Sequence, residues 1–181
     1  TVKKEEIEER ESVYTIDFPN YEVKKAFITR LVAVCARKSQ KDTERLGKKI
    51  NEAIRKGEAE KLQEGLVELY ANIPYDLHIG KEKYYQSLFL LTMKFVGYEV
   101  EGEVHTDKGR ADAILRKEEK VIVVEIKYAK GKGSDIERKI EEAMGQIRER
   151  KYYEKYISSK PTLLGIVFSG NKEIACKFES V

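Results

Sequence analysis

Tryptophan is missing from this chain, and cysteine nearly so, with Cys35 and Cys176 alone. Two isolated thiols build neither a disulfide framework nor a zinc site. Both lie in apolar stretches, so they are expected to be buried and inert, in a reducing and hence cytoplasmic compartment. No apolar run approaches the roughly 20 residues that span a bilayer, and no membrane partner is expected. The opening Thr-Val-Lys-Lys-Glu-Glu has no signal-peptide apolar region. Internal repeats and low-complexity tracts are absent too.

Charge is what the chain has in quantity. Charged residues make up 37% of its 181 positions and hydrophobic ones 41%. That leaves enough apolar material for a core and argues against general disorder. The length fits one domain, or one domain with an appendage. Abundant Lys and Glu without Trp suit a thermophile. The net charge of +3 permits nucleic-acid binding without demanding it.

The first residue is not Met, and residues 1–12 form a mixed charge run without periodicity. They read as a solvated linker in a piece of a longer protein. Residues 13–18 alternate like a short strand. Pro19-Asn20 then punctuates, with Asn20 suited to cap a helix. Apolar residues recur at helical spacing over 21–37 (Val23, Phe27, Leu31, Val34), 43–56 (Leu46, Ile50, Ala53, Ile54) and 58–72 (Leu62, Leu66, Leu69, Tyr70). Gly57 and Pro74 close the second and third. Packing alone accounts for these stripes, which predict a helical extension over residues 1–79.

A fourth helix is expected over 81–96, striped by Leu88, Phe89, Leu91 and Phe95 and stopped by Gly97. Residues 98–105 alternate as a half-exposed strand. Residues 111–128 form a hairpin around the polar run from Arg116 to Lys120. A Gly- and Lys-rich loop leads to a helix over 135–150, with more helix at 152–156. Strand 162–169, a turn at Gly170-Asn171 and strand 173–178 complete the chain. The order is helix, three strands, helix, strand, strand. It predicts a layered α/β or α+β fold, a mixed sheet flanked by helices.

The hairpin carries a chemical oddity. Asp112 lies in its first strand, and Glu125 and Lys127 lie on one face of an otherwise apolar second strand. A carboxylate and an ammonium there are costly unless paired or bound to something. Two carboxylates on adjacent strands can share a divalent cation such as Mg²⁺, with the Ile126 carbonyl as a further oxygen ligand. Such an ion lowers the pKa of a bound water and stabilises charge developing on a phosphate. Lys127 stands where it can orient that water or neutralise the transition state. Without a cation the carboxylates repel each other and one pKa rises. Spacing alone also allows a structural Glu-x-Lys pair and an incidental Asp.

The order and spacing of several motifs add to this reading. They are Glu82 with Tyr84-Tyr85-Gln86-Ser87-Leu88-Phe89, Glu103-Val104-His105-Thr106, Gly109-Arg110-Ala111-Asp112, Glu125-Ile126-Lys127, and Glu141-Glu142-Ala143-Met144-Gly145-Gln146-Ile147. Tyr152 and the strand from Leu164 to Ser169 join them. Together they resemble the PD-(D/E)XK nuclease superfamily, and most closely the nuclease-like domain at the C-terminus of AAA-ATPase-like proteins. The resemblance covers about 80–181, with a weaker echo at 18–27. It implies a restriction-endonuclease-like core (helix-strand-strand-strand-helix-strand) over 80–181 behind the extension.

It also implies that Asp112 and Glu125 are metal ligands for Mg²⁺ or Mn²⁺, with Lys127 catalytic. Glu82 would assist the metal through water, and Gln146 would organise the site or contact DNA. The implied activity is endo- or exodeoxyribonuclease. The implied partners are nucleic acid, DNA above all, and an ATPase domain upstream in the full-length protein, and a homodimer is compatible. A non-catalytic nucleic-acid-binding or regulatory module beside that ATPase is the alternative. Two departures from the family pattern are Lys81, where the branch has His, and Ala111, where the superfamily name has Pro.

Neighbouring residues have two readings each. Glu82 at a helix start is favourable through the macrodipole alone. Gln146, at the edge of an apolar stripe, is an ordinary place for a solvated amide. Arg110 either pairs with Asp112 or meets a phosphate. His105 reads as a strand-end surface residue. Between Lys127 and Lys160 basic side chains outnumber acidic ones. Lys130, Lys132, Arg148, Lys151 and Tyr152 are therefore candidates to grip nucleic acid, with Tyr152, Tyr153 and Tyr156 either stacking on bases or packing in the core.

Overall fold

The computed structural model describes residues 2–8, 11–73, 82–106 and 109–181, with side chains from residue 17 onward except at 105 and 106. Pro74, Lys81 and the side chain of His105 lie outside the described residues. Two strands, β1 (Val2–Glu8) and β2 (Glu11–Ile16), open the chain. Helices α1 (Tyr21–Cys35), α2 (Gln40–Lys56) and α3 (Ala59–Tyr70) follow. Then come α4 (Glu82–Phe95), β3 (Glu99–Thr106), β4 (Gly109–Lys117) and β5 (Lys120–Ala129). Helix α5 (Ser134–Arg150), a 3-10 helix (Glu154–Ser159), β6 (Thr162–Ser169) and β7 (Ile174–Ser180) complete it.

The main sheet has the order β3-β4-β5-β6-β7. Its pairs are antiparallel except β5 with β6, which α5 connects in parallel. Along β5 the faces alternate. Ile122, Val124 and Ile126 join the core shared with α1–α4, while Val121 and Val123 face α5 with Met144 and Ile147. Glu125 and Lys127 share the parity of Val123, so the sequence oddity sits on the α5 face. The result is a mixed sheet flanked by helices, with a helical region before it, as expected.

Three expectations need correction. Residues 1–12 do not form a solvated linker throughout: β1 pairs antiparallel with β2 from Val2↔Ile16 to Glu8↔Glu11. A ladder needs only backbone donors and acceptors, which a charged sequence does not withhold. Next, the α1 stripe faces solvent. Phe27 is 54% exposed, and Val23, Leu31 and Val34 are exposed with it. The side that packs is the small-residue one, Thr29, Val32, Ala33 and Ala36, which lets α1 approach closely. Last, Cys35 is exposed and Cys176 only partly buried.

Local signals hold elsewhere. Asn20 Oδ1 accepts the Val23 N–H at 2.9 Å as the α1 cap, and Gly57 ends α2 at φ 71°.

Candidate active site

The site forms where the hairpin opens. The β4–β5 ladder runs from Lys117↔Lys120 to Ala113↔Val124 and stops there. One residue further on, Asp112 Oδ2 accepts the Ile126 N–H at 2.8 Å. A carboxylate thus replaces a main-chain carbonyl, and the two strands part around it. On the other side of β4, pairing with β3 passes from Gly102↔Ala113 to Val104↔Ala111, and the intervening Glu103 takes φ 52°. Asp112 is therefore registered with no residue of either neighbour. Its carbonyl accepts instead from Gln86 Nε2 on α4, at 3.2 Å. β5 meanwhile stays paired with β6 as far as Ala129↔Ser169, so only one side of it is free.

Glu125 is 1% exposed. Its Oε1 accepts from Lys127 Nζ at 2.8 Å. Its Oε2 is buried with no hydrogen-bond partner among the described residues. Across the sheet its neighbour is Gly165, beside which Met144 of α5 packs. The N–H and C=O of one strand residue point to the same side. The Ile126 carbonyl therefore faces the gap that its N–H faces.

The electrostatics follow from this geometry. Burial raises the Glu125 carboxyl to about 7, the Asp112 charge adds to the rise, and Lys127 opposes it. Asp112 is also raised, by burial first, against the Ile126 N–H and the Lys127 charge. Burial pulls Lys127 down, but the hydrogen bond and charge of Glu125, with Glu82 and Asp112, outweigh it and leave the ammonium raised. Burial thus works against the charged form of both carboxylates, and the Lys127 cation works for it.

Glu82, the first residue of α4, makes no hydrogen bond to these three among the described residues. Its charge nonetheless raises Asp112, Glu125 and Lys127 alike, which puts it on the same side of the molecule. Gln146 makes no hydrogen bond to the three among the described residues; its Nε2 donates to Tyr152 Oη at 3.4 Å.

The basic candidates divide. Arg110 pairs with Glu103 at 3.4 Å rather than with Asp112. Arg148 pairs with Glu179 at 2.6 Å and Lys151 with Glu154 at 3.2 Å. Lys130 and Lys132 are exposed on the loop after β5. Tyr152 is 2% exposed and packs with Ala111, Met144 and Ile147, so its ring is not offered to a base. Of the two readings of Tyr152, packing in the core is the one its burial favours. Gln86 is the residue that sequence reading passed over. It stood in the motif after Glu82 without a role, and its spacing of four from Glu82 puts both on one helix face.

The donor set suits a hard divalent cation. It offers one orphaned buried oxygen on Glu125, the second oxygen of Asp112 and a carbonyl at the same gap. No cluster of three or more His, Cys, Asp or Glu able to hold a metal occurs among the described residues. Any ion here would complete its shell with water. No helix among the described residues is long and apolar enough to cross a membrane.

A family model described as the PD-(D/E)XK nuclease superfamily matches residues 80–178, more than half of the chain. No curated protein matches the chain.

Proposed function

The chain belongs to the PD-(D/E)XK nuclease superfamily, and from that premise we propose that it hydrolyses DNA phosphodiester bonds with Mg²⁺ or Mn²⁺. The observation that carries the reading is the buried, unpartnered Glu125 Oε2, with Lys127 bonded to the same carboxylate and Asp112 bonded to the next residue of the strand. Asp112, Glu125 and the Ile126 carbonyl would hold the ion. When bound, it supplies a water of lowered pKa and positive charge for the phosphate.

The chain's own residues supply the rest. Lys127 stays protonated because the Glu125 charge outweighs its burial. Its ammonium has donors to spare beyond Glu125, for a water or a phosphate oxygen. Glu82 adds a negative charge that the three residues feel, and would hold outer-sphere waters. Gln86 fixes the backbone of Asp112 and acts as a positioning residue. Gln146 would act indirectly, by bracing Tyr152.

The test is incubation of supercoiled and linear DNA with Mg²⁺ or Mn²⁺, beside Asp112→Ala and Lys127→Ala. Cutting by wild type and not by the variants is expected. Equal background from all three proteins would leave a non-catalytic nucleic-acid-binding or regulatory module as the function. Calorimetric titration of Mn²⁺ should show binding that depends on Asp112.

A further inference from the structure

At the end of β4 away from Asp112, a cleft opens between α1, α2, the C-terminal end of α4 and the start of β3. It has two lobes, of about 510 and 490 Å³, which share Tyr21, Lys25, Phe95 and Gly97. That is the size range of a small-ligand site. Its charged lining is Lys24, Lys25, Lys48, Lys94 and Lys117 against Glu44 and Glu99. Among the described residues, no carboxylate lies within ion-pair distance of Lys24, Lys25, Lys48 or Lys94.

Lys117 is built into the wall. Its Nζ donates to Asn51 Oδ1 at 2.9 Å and to the Val96 carbonyl at 3.0 Å, and stands 5.1 Å over the Tyr98 ring. Gly97 beside it takes φ 89°, a backbone conformation that favours glycine. Burial lowers the Lys117 pKa, Glu118 opposes this, and the charge of Lys25 reinforces it. The two lysines therefore feel each other, with carbonyl dipoles but no carboxylate bonded to either. An anion between them would relieve that repulsion. Tyr21, 66% exposed, offers a ring at the mouth.

We propose that this cleft binds single-stranded nucleic acid, with phosphates on Lys25, Lys94 and Lys117 and a base on Tyr21. Cationic grooves with interleaved aromatics hold single strands in this way. A strand fits better than a free nucleotide, because the lysines are spread over both lobes instead of gathered in one. The site is separate from the carboxylates: Lys117 is five strand residues from Asp112 along β4, about 17 Å at the rise of a strand. The proposal goes beyond the catalytic reading and does not depend on it.

The test is fluorescence anisotropy in EDTA, where no cleavage interferes, with a labelled oligo(dA) of about a dozen nucleotides. Lys25→Glu with Lys94→Glu should weaken binding at least about tenfold and flatten the slope of log affinity against log salt by about 1.4. Tyr21→Ala should cost about 5- to 150-fold. These side chains are exposed, so folding should survive, which circular dichroism would verify. Lys61→Glu with Arg138→Glu, at exposed positions of α3 and α5 outside the cleft, should leave binding in EDTA within about twofold of wild type.

Three outcomes would overturn the proposal. One is binding by the cleft variants equal to wild type. Another is the absence of any wild-type binding. The third is displacement of the oligomer by AMP at equal nucleotide concentration, which would make the ligand a mononucleotide.

Discussion

Glu125 sits where a carboxylate is hardest to ionise. Its folded value of about 7 lies above the ordinary 4.5. For an acid raised in this way, the stabilising protonated form is fully present below about 4.5 and is lost as pH rises through about 7. At pH 8 without divalent ions the native protein therefore carries an unfavourable charge. Glu125→Gln should raise stability there by about 1–3 kcal/mol, read as a higher Tm at pH 8 and a smaller difference at pH 5. Adding Mn²⁺ should raise the Tm of wild type and much less that of the variant. A Tm at pH 8 unchanged or lowered by the substitution would contradict the account.

Gln86 gives a second prediction at this scale. Gln86→Leu leaves the Asp112 carbonyl without its donor, at a cost of about 1–3 kcal/mol. Cleavage should fall through kcat more than through KM. The polar residues of the hairpin were legible because they interrupt an apolar strand. The bond from Ile126 to Asp112, the orphaned Glu125 oxygen and the reach of Gln86 were not, since each depends on how two elements meet.

Elements were read well where a stripe and a stop signal agreed. α2 ends at Gly57, α4 is followed by Gly97, and β6 runs over the expected residues. α1 was misjudged for a physical reason. Periodicity ranks faces by hydrophobicity, whereas packing also rewards closeness. Ala33 and Ala36 with Thr29 and Val32 permit close approach, and the larger residues were left outside.

Close approach also governs α2 against α3. At Gly65 a β-carbon would come within 2.8 Å of Ile50 Cγ1, in a fully buried side chain. Gly65→Ala gains helix propensity, about 1 kcal/mol. It should nevertheless destabilise, because overpacking a filled core costs about 1–3 kcal/mol. Thermal or urea melting would decide, and a stabilised variant would refute this packing argument.

Across the whole molecule, the N-terminal helices and the sheet share one apolar core. Phe168 of β6 stacks on Tyr85 of α4 with centroids 5.0 Å apart, and Tyr70 of α3 tilts against it at 6.3 Å. Hydrophobic periodicity foresaw both layers, but not that these three rings would join them. Phe168→Ala should cost about 3–5 kcal/mol and lower a single unfolding transition. If far-ultraviolet and tyrosine signals melted separately, the helices and the sheet would be separate folding units.

The central claim is that Asp112, Glu125 and Lys127 form a metal-dependent phosphodiesterase site. It is tested most directly by the initial rate of plasmid DNA cleavage in Mn²⁺ by wild type, Asp112→Asn and Lys127→Ala. Asn at 112 can still accept the Ile126 N–H, so a lost rate would not reflect a lost strand contact. The account predicts cleavage by wild type that EDTA abolishes, and rates at least about a hundredfold lower in both variants. Equal rates from all three proteins would contradict it.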